Sequence, residues 1–190
     1  IDRFSRFGNQ DKKASIFAFD GDTYQGLDAK TLTFDDVTWA QEHLIIISGL
    51  YGLLRPLDEI EPYRLEMGTN LNTDKGKTLY SFWGDQLSKA IKKKAKKVNS
   101  NLIINCASKE YFKAIDNSFL SCKIISPIFM EHRDGKNKTI SFHAKKARGM
   151  MARYIIQNRL TNLNDLKKFN LDGYSYRSNL SSEGDLVFIR

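Results

Sequence analysis

The sequence predicts an α/β protein in which a mixed β-sheet is covered by helices. Short β-branched and apolar runs alternate with helical patterns along most of the chain, and this alternation is typical of α/β folds. Later in the chain, two apolar runs flank a turn at Gly135, which indicates an antiparallel hairpin in the same sheet. No repeat, linker or low-complexity tract interrupts the sequence, so residues 1–190 are interpreted as a single domain.

Each strand is predicted from a short apolar run, and each helix from apolar residues spaced three to four apart. The predicted strands cover residues 15–19, 44–47, 102–105, 123–129, 139–142 and 186–189. The predicted helices cover residues 35–43, 84–98, 109–117 and 143–160, with a further short helix within residues 161–168. Ser108 precedes the third of these helices and is predicted to cap it.

Charge is distributed unevenly between the two halves of the chain. Residues 1–88 contain 9 Lys/Arg and 14 Asp/Glu, whereas residues 89–190 contain 21 Lys/Arg and 8 Asp/Glu, within a net charge of +8. Such segregation is typical of proteins that bind a polyanion such as DNA. A solvated lysine-rich surface explains the composition equally well, so composition alone leaves both interpretations open.

The composition also bears on compartment and cofactors. The chain is 41% hydrophobic and 27% charged, and it contains no run of 18 apolar residues and no signal-peptide pattern, so a cytoplasmic protein with no membrane partner is expected. Cys106 and Cys122 are interpreted as buried thiols. His43, His132 and His143 are dispersed, so neither a metal site nor another cofactor is expected.

The helix predicted over residues 143–160 carries basic residues where an anion would bind. Lys145, Lys146 and Arg148 lie near its N-terminus, and Arg153 lies on one flank. Free backbone N–H groups and the helix dipole favour an anion at this end, and they disfavour cations that lack a counter-charge. We therefore predict that these four residues bind phosphate, and that the side chains of Lys145, Lys146 and Arg148 are mostly exposed. Surface charge without a ligand is the alternative.

The segment from Ser48 to Met67 contains the most distinctive motif, S-G-L-Y-G-L-L-R-P-L-D-E-I-E-P-Y-R-L-E-M, and is called the signature loop below. It follows a predicted buried strand, which is a common position for functional loops in α/β proteins. Gly49 and Gly52 permit a positive φ or a close approach, whereas Pro56 and Pro62 fix the backbone. This combination predicts a rigid loop with a defined shape.

Side chains of the signature loop suit nucleic acid. Arg55 and Arg64 can form two-pronged contacts with phosphate, and Tyr51 and Tyr63 can stack on a base, while Ser48 begins the loop. The alternative is a structural network in which acidic residues of the loop neutralise both arginines. These acidic residues are Asp58, Glu59, Glu61 and Glu66.

A possible pocket is predicted from polar residues that follow other strands. Asp20 and Asp22 come directly after the first predicted strand, and Asn105 and Ser108 follow the third. The two aspartates have the chemistry to hold a hydrated Mg²⁺, but an Asp-Gly-Asp triplet is also a common turn, and the turn is the preferred interpretation. We expect these residues to lie near the signature loop, at the edge of the sheet where the strands end.

Several motifs together resemble the bacterial YaaA peroxide stress resistance proteins. The signature loop carries the strongest resemblance. Further blocks in the family's order are F-D-G-D-T-Y-Q-G-L at 19–27, L-Y-S-F-W-G-D at 79–85, N-C-A-S-K-E-Y-F at 105–112, S-F-H-A-K-K-A-R-G at 141–149 and G-D-L-V-F at 184–188. Members of the family begin with a strand and an I-S-P-A-K-type loop that this sequence does not contain, so it is interpreted as a member lacking that N-terminal segment.

The resemblance implies a cytoplasmic DNA-binding protein that protects DNA during peroxide stress and is associated with lowered free iron. The expected partner is DNA, duplex or distorted, bound with low sequence specificity, and protein partners stay unidentified. The resemblance also implies a helix-hairpin-helix element, which the spacing of Gly49 and Gly52 fits only loosely. The rival hypothesis is an enzyme that acts on a nucleotide, nucleobase or damaged DNA base, because tyrosines and carboxylates beside a rigid loop also suit a base pocket. Residue chemistry alone identifies no reaction.

Overall fold

The computed structural model describes residues 6–190, which form an α/β structure as predicted. The strands are β1 (Lys13–Ala14), β2 (Ile46–Ser48), β3 (Gly52–Leu54), β4 (Glu59–Ile60), β5 (Asn70–Thr73), β6 (Gly76–Thr78), β7 (Leu102–Ile104), β8 (Lys123–Arg133), β9 (Lys136–Lys138), β10 (Ser175–Tyr176) and β11 (Asp185–Ile189). The helices are α1 (Ser15–Ala18), α2 (Asp22–Leu27), α3 (Phe34–His43), α4 (Leu79–Trp83), α5 (Gln86–Lys97), α6 (Lys109–Phe112), α7 (Ser141–Asn158) and α8 (Leu163–Leu166).

The described chain divides into two compact units, each assembled from separate segments. The first unit comprises the described part of Ile1–Phe19 together with Gln41–Asn101 and Ala107–Cys122. The second unit comprises Asp20–Ala40, Leu102–Cys106 and Lys123–Arg190.

The second unit contains a mixed sheet with β8 at its centre. β8 pairs in parallel with β7 on one side and with β11 on the other, and β11 pairs antiparallel with β10. The end of β8 also forms an antiparallel hairpin with β9. Alternate residues of β8 from Ile125 to Glu131 are buried, which is the period of two expected when one face of a strand covers a core.

An apolar core packs α7 against this sheet. Ala147 and Met151 of α7 are fully buried, and the rings of Phe129 and Phe188 stack with their centroids 5.4 Å apart. The ring of Phe169 completes the cluster through edge-to-face contacts with both phenylalanines. Burial of several large aromatic side chains contributes a major part of the folding free energy, so α7 is firmly positioned by its apolar face.

Helices α2 and α7 pack so closely that glycine is required on both. A Cβ added to Gly149 of α7 would overlap the carbonyl oxygen of Thr23 and lie 2.7 Å from the backbone nitrogen of Leu27. A Cβ added to Gly26 of α2 would overlap the carbonyl group of Lys146. Both glycines therefore permit backbone-to-backbone contact between the helices.

The first unit contains three two-stranded ladders, formed by β1 with β4, β2 with β3, and β5 with β6. Its longest helix, α5, buries Leu87 and Ile91 and directs most of its lysines to solvent. Lys94 is different, because its Nζ lies 3.1 Å from Oε2 of Glu42 and is largely shielded from solvent. Hydrogen bonds from Lys97 and Lys94 lower the pKa of Glu42 to about 2.

The strand predicted over residues 15–19 is wrong, since these residues form the single helical turn α1. The backbone nitrogens of Ser15 and Ile16 donate hydrogen bonds to the carbonyl oxygens of Asp58 and Pro56, at 2.9 and 3.0 Å. The hydroxyl of Ser15 donates to the carbonyl of Arg55 at 2.8 Å. These donors therefore bond to carbonyl groups of the signature loop and do not form a strand ladder. An apolar sequence pattern cannot indicate such contacts.

The strand predicted over residues 139–142 is also wrong. The partner of β8 in the hairpin is β9, which is polar and exposed, and α7 already begins at Ser141. The predicted turn at Gly135 is confirmed, because Asp134 and Gly135 both have positive φ, 53° and 71°, as a tight hairpin turn requires. The predicted helix over residues 109–117 ends earlier, at Phe112.

Candidate nucleic-acid interface

The second unit contains a basic segment, residues 135–164, with seven Lys/Arg and no Asp/Glu. It includes β9, α7 and the start of α8. Lys136 and Lys138 on β9 and Lys145 and Lys146 on α7 are all exposed. A run of exposed cations without neighbouring carboxylates in sequence gives a surface that attracts polyanions.

The N-terminus of α7 has no side-chain cap and no acidic residue of its own. Ile140 offers no side-chain cap, and the first turn contains no acidic residue. The nearest carboxylate recorded for its lysines is that of Asp22, whose Oδ2 lies 3.6 Å from Nζ of Lys145. Free N–H groups, the positive end of the helix dipole and exposed lysines therefore occur together at this end.

Arg148 differs from the exposed side chain that the sequence predicted, because it is half buried. Its Nε is buried without a hydrogen-bond partner in the described part of the chain. Burial lowers the pKa of Arg148, while the nearby thiol of Cys106 acts in the opposite direction. Burial likewise raises the pKa of Cys106 to about 12, so this thiol is neutral at physiological pH. Arg148 therefore holds an unsatisfied donor beside a neutral group.

Arg153 makes structural contacts with α2, and its phosphate contact stays a prediction. Its Nη1 donates hydrogen bonds to the carbonyl oxygens of Leu27 and Asp28, at 3.0 and 2.8 Å. These carbonyls lie at the C-terminal end of α2, where a cation is favoured by the helix dipole. The side chain is 18% exposed, so Arg153 fastens α7 to α2 and is poorly placed to meet DNA.

A buried carboxylate fixes the first turn of α7. Glu131, the last buried residue of β8, accepts hydrogen bonds from Arg190, Arg133 and His143. Burial alone would raise the pKa of Glu131, but these three donors outweigh it and lower the pKa to about 2. Because His143 belongs to α7, this cluster ties the beginning of the helix to the central strand. No sequence pattern singled out Glu131.

In the first unit, the tyrosines of the signature loop contact one another. Ser48 is fully buried, and its hydroxyl accepts a hydrogen bond from the N–H of Tyr51 at 2.9 Å and shares a second one with the hydroxyl of Tyr63 at 2.5 Å. The rings of Tyr51 and Tyr63 meet edge to face at 5.5 Å. Burial raises the pKa of Tyr63, and the hydrogen bond to Ser48 partly offsets this effect.

The glycines and prolines of the loop fix its shape as predicted. Gly52 has a φ of +74°, and a Cβ added there would lie 2.8 Å from the ring of Trp83. Gly49 permits a close approach, because an added Cβ would lie 2.5 Å from the carbonyl oxygen of Leu65. Pro56 is buried, whereas Pro62 is exposed. The loop is therefore a braced structure whose backbone has little freedom.

Both arginines of the loop form ion pairs with acidic residues of the same loop. Arg55 donates from Nη2 to Oδ1 of Asp58 at 2.9 Å, and Arg64 donates from Nε to Oε1 of Glu66 at 3.3 Å. This geometry fits the structural network described as the alternative. The side chains are 53% and 72% exposed, so each pair is solvent-screened and weak, and phosphate binding by either arginine stays a prediction.

A small cavity, the Glu61 cavity, opens beside the signature loop and has a volume of about 190 Å³. Its lining consists of Lys13, Ala18, Phe19, Ile60, Glu61, Pro62 and Tyr63. Glu61 is 4% exposed, and its Oε2 accepts a hydrogen bond from the N–H of Gly8 at 2.6 Å. Phe19 and Tyr63 meet at an interplanar angle of 85°. The lining of the cavity thus includes two aromatic rings and a buried carboxylate.

Three of the four residues of the predicted possible pocket make local contacts. Asp22 begins α2 and is the partner of Lys145, while Asp20 is exposed. The side-chain amide of Asn105 donates to the hydroxyl of Ser126 at 3.3 Å. Ser108 caps α6, as predicted, by accepting a hydrogen bond from the N–H of Tyr111 at 3.3 Å. These contacts favour a structural interpretation of the set.

The described residues 6–190 contain no group of three or more His, Cys, Asp or Glu side chains arranged to hold a metal ion. Among their helices, none combines the length and apolar character needed to cross a membrane.

Sequence reasoning missed the exposed lysines of β9 and the carboxylate of the Glu61 cavity. The K-N-K triplet after an Asp-Gly turn was a usable signal for an exposed basic hairpin. Glu61 offered no such signal, because four acidic residues of the loop look equivalent in sequence and only burial separates them.

Comparison with known proteins identifies a well-populated group of relatives. A family model described as "Peroxide stress protein YaaA" matches residues 1–180. A UPF0246 protein of Dinoroseobacter shibae is 50% identical over 194 residues, covering 100% of this chain and 73% of the relative. A UPF0246 protein of Ruegeria pomeroyi is 49% identical, covering 100% and 75%, and one of Saccharophagus degradans is 50% identical, covering 97% and 72%.

Proposed function

Because this chain belongs to the peroxide stress protein YaaA family, we propose that it is a cytoplasmic DNA-binding protein that protects DNA during peroxide stress. The observation that carries the proposal is the exposed lysine pair Lys145 and Lys146, at an uncapped helix end within a segment free of acidic residues. A lower level of free iron in the cell, associated with the family, belongs to the same proposal as a cellular outcome.

Electrostatics favours DNA phosphates over a purely solvated role for these lysines. Lys145 and Lys146 add two positive charges near the positive end of the 18-residue helix, and the carboxylate of Asp22 pairs with only one of them. Backbone N–H groups at the same place are suitable donors to phosphate oxygens. The unsatisfied Nε of Arg148, on the next turn, provides a further donor once a ligand or small side-chain movement exposes it.

An enzyme acting on a nucleotide, nucleobase or damaged base is the less favoured function. Ser48 is buried and hydrogen-bonded to tyrosine, while Asp22, Asn105 and Ser108 make structural contacts. No acid–base pair or activated nucleophile emerges from these contacts. The Glu61 cavity is the observation that favours recognition of a nucleobase.

The test is the salt dependence of binding to duplex DNA. We expect log affinity to fall linearly with log salt, with a slope of about −0.9 for each phosphate neutralised, and little dependence on sequence. The double variant Lys145→Gln, Lys146→Gln should weaken binding for all sequences and make the slope shallower by about 2. An affinity that does not change with salt would refute the proposal.

A matched control removes the same charge elsewhere. Lys93 and Lys96 are exposed lysines of α5, and their double change to Gln alters the net charge equally. We expect the control to leave the slope close to that of the unchanged protein. Equal losses from the two double variants would show that overall charge, and not the α7 end, governs binding.

A further inference from the structure

We propose that the Glu61 cavity binds one unstacked nucleobase and prefers guanine. This inference rests on the proposed nucleic-acid function and adds a second contact in the first unit. The cavity is about 190 Å³, below the roughly 300–1,000 Å³ of sites for drug-sized ligands. Its size therefore suits a single ring system and excludes an intact base pair.

The walls of the cavity have the chemistry of a base site. Phe19 and Tyr63 are nearly perpendicular, with centroids 6.1 Å apart, so a flat ligand can stack on one ring and meet the edge of the other. Ala18, Ile60 and Pro62 supply the remaining apolar lining. Stacking on aromatic side chains is the usual way in which proteins hold an unpaired base.

Glu61 supplies the selectivity. A carboxylate is acceptor-only, and a nearly buried one favours hydrogen-bond donors in the groups that contact it. The hydrogen bond from Gly8 to Oε2 holds the group in one orientation. Guanine presents two adjacent donors, N1–H and the 2-amino group, on its Watson–Crick edge. Adenine and cytosine present one amino group there, and thymine presents one N–H between two carbonyls that a carboxylate would repel. Guanine is therefore the best match.

Two cations are available for the phosphate of the same nucleotide. Lys13 is exposed and lines the cavity. Arg64 directly follows Tyr63 in sequence, and its exposed ion pair with Glu66 is weak enough for phosphate to replace. A nucleotide with its base in the cavity would thus have a cation from β1 or from the signature loop for its phosphate.

The first test uses the unchanged protein and four nucleoside monophosphates, those of guanosine, inosine, adenosine and thymidine, titrated by NMR at low salt. Inosine differs from guanosine only by the missing 2-amino group, so we expect it to bind about tenfold more weakly, within the range for a two-pronged contact. Thymidine monophosphate should bind weakest. Equal affinities for guanosine and inosine monophosphates would overturn the inference.

The second test is Glu61→Gln, with Glu59→Gln as its control. The amide keeps an acceptor for Gly8 but cannot accept both guanine donors, so the tenfold preference over inosine should disappear. Glu59 is an exposed carboxylate two residues away on the same loop, and its change should leave the preference intact. If Glu61→Gln fails to fold, the nucleotide series on the unchanged protein still decides.

The experiments distinguish failure of the cavity proposal from failure of the proposed DNA binding. Equal nucleotide affinities with normal salt-dependent duplex binding would overturn the cavity alone. Loss of duplex binding from the Lys145 and Lys146 variant, together with a retained guanosine preference, would support both sites independently. A guanosine preference without any duplex binding would refute the proposed function while supporting the cavity.

Discussion

Replacing Gly149 with Ala tests whether α2 and α7 contact each other through their backbones. In an ordinary helix this change is stabilising by roughly 0.8–1 kcal/mol, because Ala has a much higher helix propensity than Gly. Here the new Cβ would overlap the carbonyl oxygen of Thr23 and lie 2.7 Å from the backbone nitrogen of Leu27. The two effects oppose each other, so the sign of the stability change is informative.

The steric effect should dominate. The atoms that the methyl group meets belong to the backbone of α2, so no flexible side chain can move aside and the helices must separate. Overpacking of this kind costs about 3 kcal/mol at the upper end of its usual range. Subtracting about 1 kcal/mol of helix propensity leaves a destabilisation of about 2 kcal/mol. For a protein of this length, that corresponds to a fall in melting temperature of about 4–8 °C.

Thermal unfolding followed by circular dichroism measures the effect, with Gly21→Ala as the matched control. Gly21 precedes α2, has an extended φ of 178°, and has no atom within 4 Å of an added Cβ. The control should melt at an unchanged or slightly higher temperature. If Gly149→Ala melts at or above the temperature of the unchanged protein, the close helix contact is refuted.

Three further changes have defined outcomes. Gly52→Ala should lower the melting temperature by several degrees because its φ is +74°, and an unchanged temperature would contradict the strained turn. Asp22→Asn should tighten duplex DNA binding by removing the carboxylate 3.6 Å from Lys145, and weaker binding in a filter assay would count against the α7 site. The pKa of Glu131 is lowered to about 2, so its stabilisation is complete above about pH 5 and is lost as the pH falls towards 2. Urea unfolding of the unchanged protein should therefore lose about 3 kcal/mol more over this interval than Glu131→Gln, whereas parallel pH profiles would refute the role of the carboxylate.

Much of the secondary structure could be predicted because the apolar residues that form the core recur with the period of the strand or helix that carries them. The apolar runs that became β8 and β11 contribute buried residues to the core, the run of β7 packs against that core, and α7 shows the apolar spacing of its packing face. The wrong predictions are those for segments whose hydrogen bonds, and not their apolar residues, determine the secondary structure. The donors of Ser15 bond to the signature loop, which turns an apolar run into a helical turn. β9 is entirely polar, so no hydrophobic signal marks it as a strand.

The candidate site was harder to predict than the fold, because residue type does not reveal the partner that a side chain selects. Arg153 and Lys146 are both cations of α7, yet one bonds to the end of α2 and the other is exposed. Tyr51 and Tyr63 were predicted only as stacking surfaces, but the hydroxyl of Tyr63 is hydrogen-bonded to Ser48, the hydroxyl of Tyr51 accepts a hydrogen bond from the N–H of Glu61, and the two rings meet edge to face.

The interleaved composition of the two units has a consequence for synthesis on the ribosome. The first unit requires residues up to Cys122, whereas the second requires β11, which pairs with β8 only after Asp185–Ile189 has emerged. β7 is translated between two segments of the first unit, so it must wait through the synthesis of more than 80 further residues before β11 joins its sheet. From the synthesis of β8 until β11 emerges, the edge of β8 lacks this parallel neighbour, which leaves the nascent chain vulnerable to aggregation.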